Sequence, residues 1–404
     1  MAAFSNMISV FFLAFFVSIV SSNPPGDDTQ TKLTQSINHF SMDLFKVVSQ
    51  EEGHAGKNLV MSAMSANMLL ALLSLGAEGN TLKELNDGLH LPDSAFTKVA
   101  YKPTIDKMNA FKEVTFDLAN KVYVGQEFTL APVYKDYATG LFSSEVENID
   151  FSQNVAAADK INSWVEDKTN KTIKNIVKAA EFSSASTLVL INTIYFKGTW
   201  FTQFNPDQTV ETSFHVSATN TIPIQMMNQP STTEYGENSE LDAQILKMAF
   251  VGDEMSMVFI LPNKVDGLAA LEKKLIDDYA SFQTSVDGLQ LDLVSISLPM
   301  FKIETTSILN NALTKLGMST MFSDVAELGG LLVNPSPLKV SGVIQKAFID
   351  VNEMGVTASA ATVTTMATSS GNKPKVFNAD HPFYYALVNS DGQTVFSGHF
   401  TGED

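Results

Sequence analysis

Hydrophobic and polar positions along the chain follow two periods. Ile37, Phe40, Leu44 and Val48 recur at helical spacing and predict a first amphipathic helix. Residues 65–75 are almost continuously apolar, which predicts a buried helix ending at Gly76. Thr81 and Glu84 have the spacing of a capping box, in which hydroxyl and carboxylate satisfy each other's free backbone N–H groups; a short helix follows and stops near Gly88. Val155, Ala158, Ile161, Trp164 and Val165 predict another amphipathic helix with Asn154 as its cap. Strand patterns then dominate: the apolar run TLVLINTIYF at 187–196, a second run at 255–261 closed by Pro262, and Val294, Ile296 and Leu298 alternating with serines. Ile308, Leu309, Ala312, Leu313 and Leu316 return to helical spacing and end at Gly317. The last segment reads as a hairpin turning at Ser390-Asp391-Gly392. The mixture predicts an α+β protein, with helices concentrated early and strands later. No linker, repeat or low-complexity block divides residues 31–404, which read as a single domain.

The amino-terminal residues change the picture of where the chain works. Residues 8–20, ISVFFLAFFVSIV, have the length of a signal-peptide core and are too short for a comfortable membrane span. Val20 and Ser22 suit cleavage after Ser22, giving a signal peptide at 1–22 and a secreted, extracellular product. Only the amino terminus supplies positive charge before the apolar run, and an uncleaved anchor is the other reading. Residues 23–30, with Pro24, Pro25 and Gly26, read as a flexible lead. Asn170-Lys171-Thr172 is the one sequon, a glycosylation candidate in an exported chain and otherwise a chance triplet.

Charge and composition remove several classes of function. With 44 acidic against 26 basic residues the net charge is −18, which repels phosphate backbones and anionic lipid and argues against nucleic-acid or membrane partners. Lys98, Lys102 and Lys107 are too few and dispersed for a strong glycosaminoglycan patch. The absence of cysteine excludes disulfides, zinc-thiolate sites and thiol nucleophiles. No G-x-S-x-G, H-E-x-x-H, Walker or G-x-G-x-x-G motif occurs, and the scattered histidines show no ligand spacing. The residues name no catalytic group, metal site or cofactor.

Residues 353–376, EMGVTASAATVTTMATSSGNKPKV, differ from the rest. From Gly355 to Gly371 there is no charge and no proline, and nearly every side chain is small or β-branched. Composition alone allows a flexible linker or a strand held in reserve.

Flanking motifs are more specific. Asn352-Glu353-Met354-Gly355 followed by Val356-Thr357-Ala358-Ser359-Ala360-Ala361-Thr362 resembles the hinge of the serpin family. Phe377-Asn378-Ala379-Asp380-His381-Pro382-Phe383 resembles the serpin signature that follows the reactive loop. Residues 192–200 (NTIYFKGTW), 75–81 (LGAEGNT) and 257–262 (MVFILP) fit the same pattern in the same order, so the resemblance spans the mature chain. It implies the serpin fold, helices around three β-sheets with an exposed reactive centre loop at about 354–376. It also implies a mechanism in which a peptidase attacks the loop, forms an acyl-enzyme and is trapped when the cleaved loop inserts into the main sheet. The protein would then be an inhibitor and not an enzyme, a monomer whose partner is its target peptidase, held in a covalent complex.

Residue chemistry suits that task. Val356, Ala358, Ala360 and Thr362 would share one face of an inserted strand, expected to be the core face, where bulk or charge would stall entry. Gly355 supplies a hinge's freedom. The stretch from Gly355 to Ser369 would make a strand of roughly 50 Å. Family spacing from Glu353 puts the reactive bond at Ser369-Ser370, within a window of 367–371. With no Lys or Arg between Met354 and Asn372, the resemblance implies an elastase-like or subtilisin-like target and argues against a trypsin-like one. A papain-like cysteine peptidase, or a non-inhibitory carrier or storage role, are the alternatives within the family; an unrelated α+β binding protein is the alternative outside it.

Ser62, Ser65 and Asn192 match the family's polar cluster under the sheet opening, with Gln345 where many members have histidine. Met300 stands where a lysine often pairs with the hinge glutamate, here Glu353, and Lys302 is the expected substitute.

Overall fold

The computed structural model describes residues 27–356 and 373–403. The first half of the chain contributes α1 (Asp27–Val48), β1 (Leu59–Met61), α2 (Ala63–Ser74), α3 (Gly79–Gly88), α4 (Ser94–Asn109), β2 (Val114–Gly125), α5 (Pro132–Phe142), β3 (Glu145–Ile149), α6 (Asn154–Lys168) and β4 (Leu188–Thr199). Then come β5 (Val210–His215), β6 (Thr221–Asn238), β7 (Ala243–Ala249), β8 (Met255–Pro262), α7 (Leu268–Asp277), α8 (Tyr279–Asp287), β9 (Gln290–Pro299), β10 (Phe301–Ile308) and α9 (Asn310–Lys315). The chain ends with β11 (Val340–Val351), β12 (Gly355–Val356), β13 (Lys375–Asn378), β14 (Phe383–Asn389) and β15 (Thr394–Phe400).

Three local expectations change. First, α1 begins at Asp27, inside the segment read as a flexible lead. Its start is tied down: Asp28 pairs with Lys32 at 2.7 Å, and Gln30 donates to the Ala100 carbonyl at 3.0 Å while accepting from the Thr104 hydroxyl at 3.0 Å. Second, Thr81 and Glu84 form no capping box. The Thr81 hydroxyl accepts from Glu327 N (2.9 Å), and the Glu84 carboxylate takes Thr320 N (2.7 Å) and the Thr320 hydroxyl (2.6 Å). The first turn of α3 is instead satisfied by the remote Glu327 carboxylate, on Asn80 N at 2.6 Å. Third, Asn154 is the first residue of α6, not its cap. By contrast α2 is as expected, with all 12 residues buried and Ser62 capping it.

Among the described residues two hydrogen-bonded sheets form where three are implied. The 18-residue β6 pairs with β5 along its start, with β9 through its middle and with β7 along its end, so it fuses two sheets into one of nine strands, ordered β1-β15-β14-β8-β7-β6-β9-β13 with β5 on β6. The other has six, ordered β10-β11-β4-β2-β3 with β12 on β4. Its central strands are buried on both faces, which is why residues 187–196 read as a continuous apolar run. Leu188, Leu190, Ile194 and Phe196 of β4 join the large core. Val189, Ile191 and Tyr195 face the opposite way, into a second core with Ile161 and Val165 of α6 and Ile344 and Phe348 of β11.

A charged strap fastens α6 to the sheet. Lys121 of β2 is buried, with Glu145 at 2.9 Å and Glu147 at 2.7 Å, and its ammonium stands 5.0 and 5.2 Å from the rings of Tyr123 and Trp164. Lys168 pairs with Glu145 at 2.8 Å, and Lys160 with Glu147. Burial pushes the Glu145 carboxyl up, but hydrogen bonds from Lys168, Lys121 and Trp164 outweigh it and hold the group at about 2. An unfolded glutamate titrates near 4.3, so this contribution to stability is complete above about pH 4.3 and is lost as pH falls toward about 2. The Trp164 indole donates to Glu145 at 3.0 Å and reports on the strap. Its fluorescence is expected to shift across that pH window, and Glu145→Gln is expected to flatten the transition.

Candidate functional site

The site grows from a seam in the six-stranded sheet. Strands β4 and β11 lie side by side and parallel, with Ile191 opposite Ile344, Asn192 opposite Gln345 and Tyr195 opposite Phe348. Register and the turn into α2 bring the four expected polar residues together. Gln345 Nε2 donates to Asn192 Oδ1 at 2.6 Å and to the Ser62 carbonyl at 2.8 Å, and Gln345 Oε1 accepts from Ser62 N at 3.0 Å. The Ser65 hydroxyl donates to Asn192 Oδ1 at 2.6 Å, and the Ser62 hydroxyl donates to the Val395 carbonyl at 2.7 Å, tying the cluster to β15. None of the four is more than 1% exposed. The cluster also contains Asn120, which the sequence did not single out: opposite Asn192 on β2, its Oδ1 accepts from Asn192 Nδ2 at 2.5 Å. The amides and hydroxyls of this group are neutral, so parting the seam costs hydrogen bonds without stranding a charge.

The mouth of the seam is a reversal. After Val351, a turn closed by Asn352 N to Gly355 O (3.0 Å) and Gly355 N to Asn352 O (3.1 Å) sends the chain back. The two residues of β12 then pair antiparallel with β4, Gly355 opposite Thr199 and Val356 opposite Gly198. Gly355 has φ +122°, and a Cβ there would lie 2.3 Å from the Gly198 carbonyl oxygen, so a glycine is required. Three donors hold the turn from outside: Trp200 N to Met354 O at 3.0 Å, Phe204 N to Glu353 O at 2.9 Å, and the Trp200 indole to Asn352 O at 3.0 Å. Trp200 itself stacks on Phe250 with centroids 4.5 Å apart.

Glu353 and Lys302 do not pair as expected. The Glu353 carboxylate accepts from the Thr209 hydroxyl at 2.8 Å, whereas Lys302 stands over the Phe348 ring at 5.1 Å. Strand register sets Lys302 opposite Asp350, and the turn carries Glu353 away toward the start of β5. A different lysine marks the seam. Lys346, 6% exposed, donates to the Lys174 carbonyl at 2.6 Å and pairs with Glu304 at 2.5 Å, hooking the segment after α6 over the seam. A lone lysine within an apolar strand is the signal that could have pointed to it.

Farther along, β13 pairs parallel with β9, and the signature residues Phe377 and Phe383 are fully buried. The His381 ring sits between Asp380 Oδ1 (2.8 Å) and the Pro262 carbonyl (2.7 Å), a structural clamp. Asn170 is exposed just beyond α6, with φ 48°. The lysines of α4 are engaged: Lys102 with Asp106, Lys107 with Asp391, and Lys98 over Tyr137. Thr357, Ala358, Ser359, Ala360, Ala361, Thr362, Ser369 and Ser370 lie outside the described residues, as do residues 1–22. Among the described residues no group of three His, Cys, Asp or Glu side chains could hold a metal, and no helix is long and apolar enough to cross a membrane.

An α+β scaffold with two parallel central strands paired along a seam and a reversed strand at its mouth has the form of a serpin. Residues 35–402 match the family described as Serpin (serine protease inhibitor). Antitrypsin of Bombyx mori is 38% identical over 365 residues, 90% of this chain and 92% of that protein. Antichymotrypsin-2 of Bombyx mori is 36% identical over 364 residues, 90% of this chain and 96% of that protein. The crystal structure of Serpin48, described as a highly specific serpin in the insect Tenebrio molitor, superimposes with TM-score 0.84 at 34% identity, covering 93% of this chain and 99% of that one. The chain belongs to the serpin family, a family of peptidase inhibitors and not of enzymes.

Each amide of the seam is expected to matter to stability. Gln345→Ala leaves Ser62 N without its partner and should cost about 2–3 kcal/mol in urea unfolding. Asn192→Ala should cost a similar amount, and the double variant less than the sum, because both remove the same contact.

Proposed function

We propose that this chain is a secreted, monomeric suicide-substrate inhibitor of a serine peptidase, which it traps as a covalent acyl-enzyme when its cleaved loop enters the β4–β11 seam. The observation that carries the reading is β12, already seated at the mouth of the seam and antiparallel to β4. A strand continuing from it would run antiparallel to both neighbours, replacing one parallel ladder by two antiparallel ones.

Carrying the register forward fixes where each loop residue would go. Ala358 would fall opposite Phe196, Ala360 opposite Ile194 and Thr362 opposite Asn192. On the other edge, the Asn352–Gly355 bridge sets Thr362 opposite Gln345. Phe196 and Ile194 belong to the large core, which supports the inward face assigned to Val356, Ala358, Ala360 and Thr362. Thr357, Ser359 and Ala361 would turn toward α6. Thr362 would bring a hydroxyl, both donor and acceptor, between the two amides at the point where they separate.

The reactive bond in this reading is Ser369-Ser370, within 367–371, and its target elastase-like or subtilisin-like. The two Bombyx mori relatives are named for trypsin and for chymotrypsin, so family likeness alone does not set the target; the loop residues do. Removal of residues 1–22 and a glycan on the exposed Asn170 complete the picture.

The test mixes the mature protein with a panel of elastase-like, subtilisin-like, chymotrypsin-like, trypsin-like and papain-like peptidases on denaturing gels. A boiling-resistant band at the summed mass, with a released peptide starting at Ser370 or within two residues of it, is expected with an elastase-like or subtilisin-like member. Clean cleavage with full peptidase activity throughout would move the protein to a carrier or storage role. Thr362→Arg buries an unpaired charge at a cost of several kcal/mol and is expected to turn the inhibitor into a substrate.

A further inference from the structure

All 26 basic residues of the chain are lysines; there is no arginine. Between the hinge and the end of β13 only Lys373 and Lys375 could offer a cation to a trypsin-like specificity pocket. Both are closed, by different means. Lys373 is exposed and lies just before β13, but the residue on its carboxyl side is Pro374. Proline has no N–H, its ring crowds the leaving-group side of the bond, and its φ is locked, so trypsin-like peptidases do not cut there. Lys375 opens β13, opposite Val294 of β9. Its ammonium is 3.3 Å from the Glu237 carboxylate and 5.9 Å from the centre of the Tyr235 ring. Extending that bond into a peptidase cleft would strip β13 from β9 and break the ion pair.

We propose that Pro374 is a specificity-determining residue that seals the Lys373–Pro374 bond, closing the loop to lysine- and arginine-directed peptidases so that the inhibitor stays intact among them. The importance of the seal rests on the inhibitory reading above, since any cut between the hinge and β13 would spend the molecule. A proline at the start of an edge strand is also unremarkable as structure, because it withholds a donor the ladder does not need. The two roles differ in what trypsin does to a variant.

The experiment exposes the full mature chain to trypsin, before and after Pro374→Ala, and sequences new amino termini. The wild type is expected to gain none between residues 371 and 377. Pro374→Ala should be cut at least tenfold faster, giving a fragment that starts at position 374, and Lys373→Gln in that background should restore resistance. Unchanged thermal unfolding of Pro374→Ala establishes that the fold is kept. Equal cutting of the wild type after Lys373, or an uncut Pro374→Ala, overturns the proposal. So does a fragment starting at Val376, which would mean that β13 has frayed. These readouts score one peptide bond and not inhibition, so they stand even if no peptidase in the panel is trapped.

Discussion

Two side-chain amides, those of Gln345 and Asn192, meet at 2.6 Å across a pair of parallel strands buried on both faces. That contact closes the seam on which the rest of the six-stranded sheet depends. Below it, Ser62 and Ser65 bind the start of α2 to the same amides; above it, Ile344 and Phe348 lie under α6. The side-chain amides of Gln345 and Asn192 have partners on both their oxygen and their nitrogen, and in a low-dielectric interior such pairing specifies one register, because a slip by one residue would leave both unpaired. Asn120 extends the constraint to β2, so three adjacent strands are locked by one chain of neutral groups.

Much of this was legible in the residues, and the exceptions share a cause. The runs at 187–196 and 255–261 and the final hairpin became strands β4, β8, β14 and β15, because continuous or alternating apolar character is set by burial alone. Ser62, Ser65, Asn192 and Gln345 were found through family motifs and do meet. Asn120 was not, because it and Lys121 stand side by side among the apolar residues of β2 and only strand pairing reveals which face each takes. Helix α4 was not read from the sequence: its buried face, Thr97, Ala100, Tyr101, Thr104, Ile105 and Met108, has helical spacing, but two threonines on that face and Pro103 inside the helix blunt the apolar signal. Thr81 and Glu84 have the right local spacing but spend their hydrogen bonds on residues some 240 positions away, which no local motif can register. Lys302 failed for the same reason: its place was counted along one strand, while the direction of Glu353 is set by a turn on another.

Fastening of α6 is unequal. On the β2–β3 side five charges and two aromatic rings hold it; on the seam side its following segment is held by the apolar packing of Ile173, Ile176 and Val177 and by one charged hook, Lys346. In the proposed insertion the strands that would separate lie under the Lys346 hook, and those under the strap would not need to move.

The reversal at Gly355 has a kinetic meaning. Strand addition resembles zipping: the slow step is bringing the first residues into register, after which each further pair forms beside one already made. Here the first pairs with β4 exist before any peptide bond is cut. In the proposed insertion, propagation would therefore run from the mouth inward, in one direction and one register, and misaligned entry would be resisted without a side chain to police it.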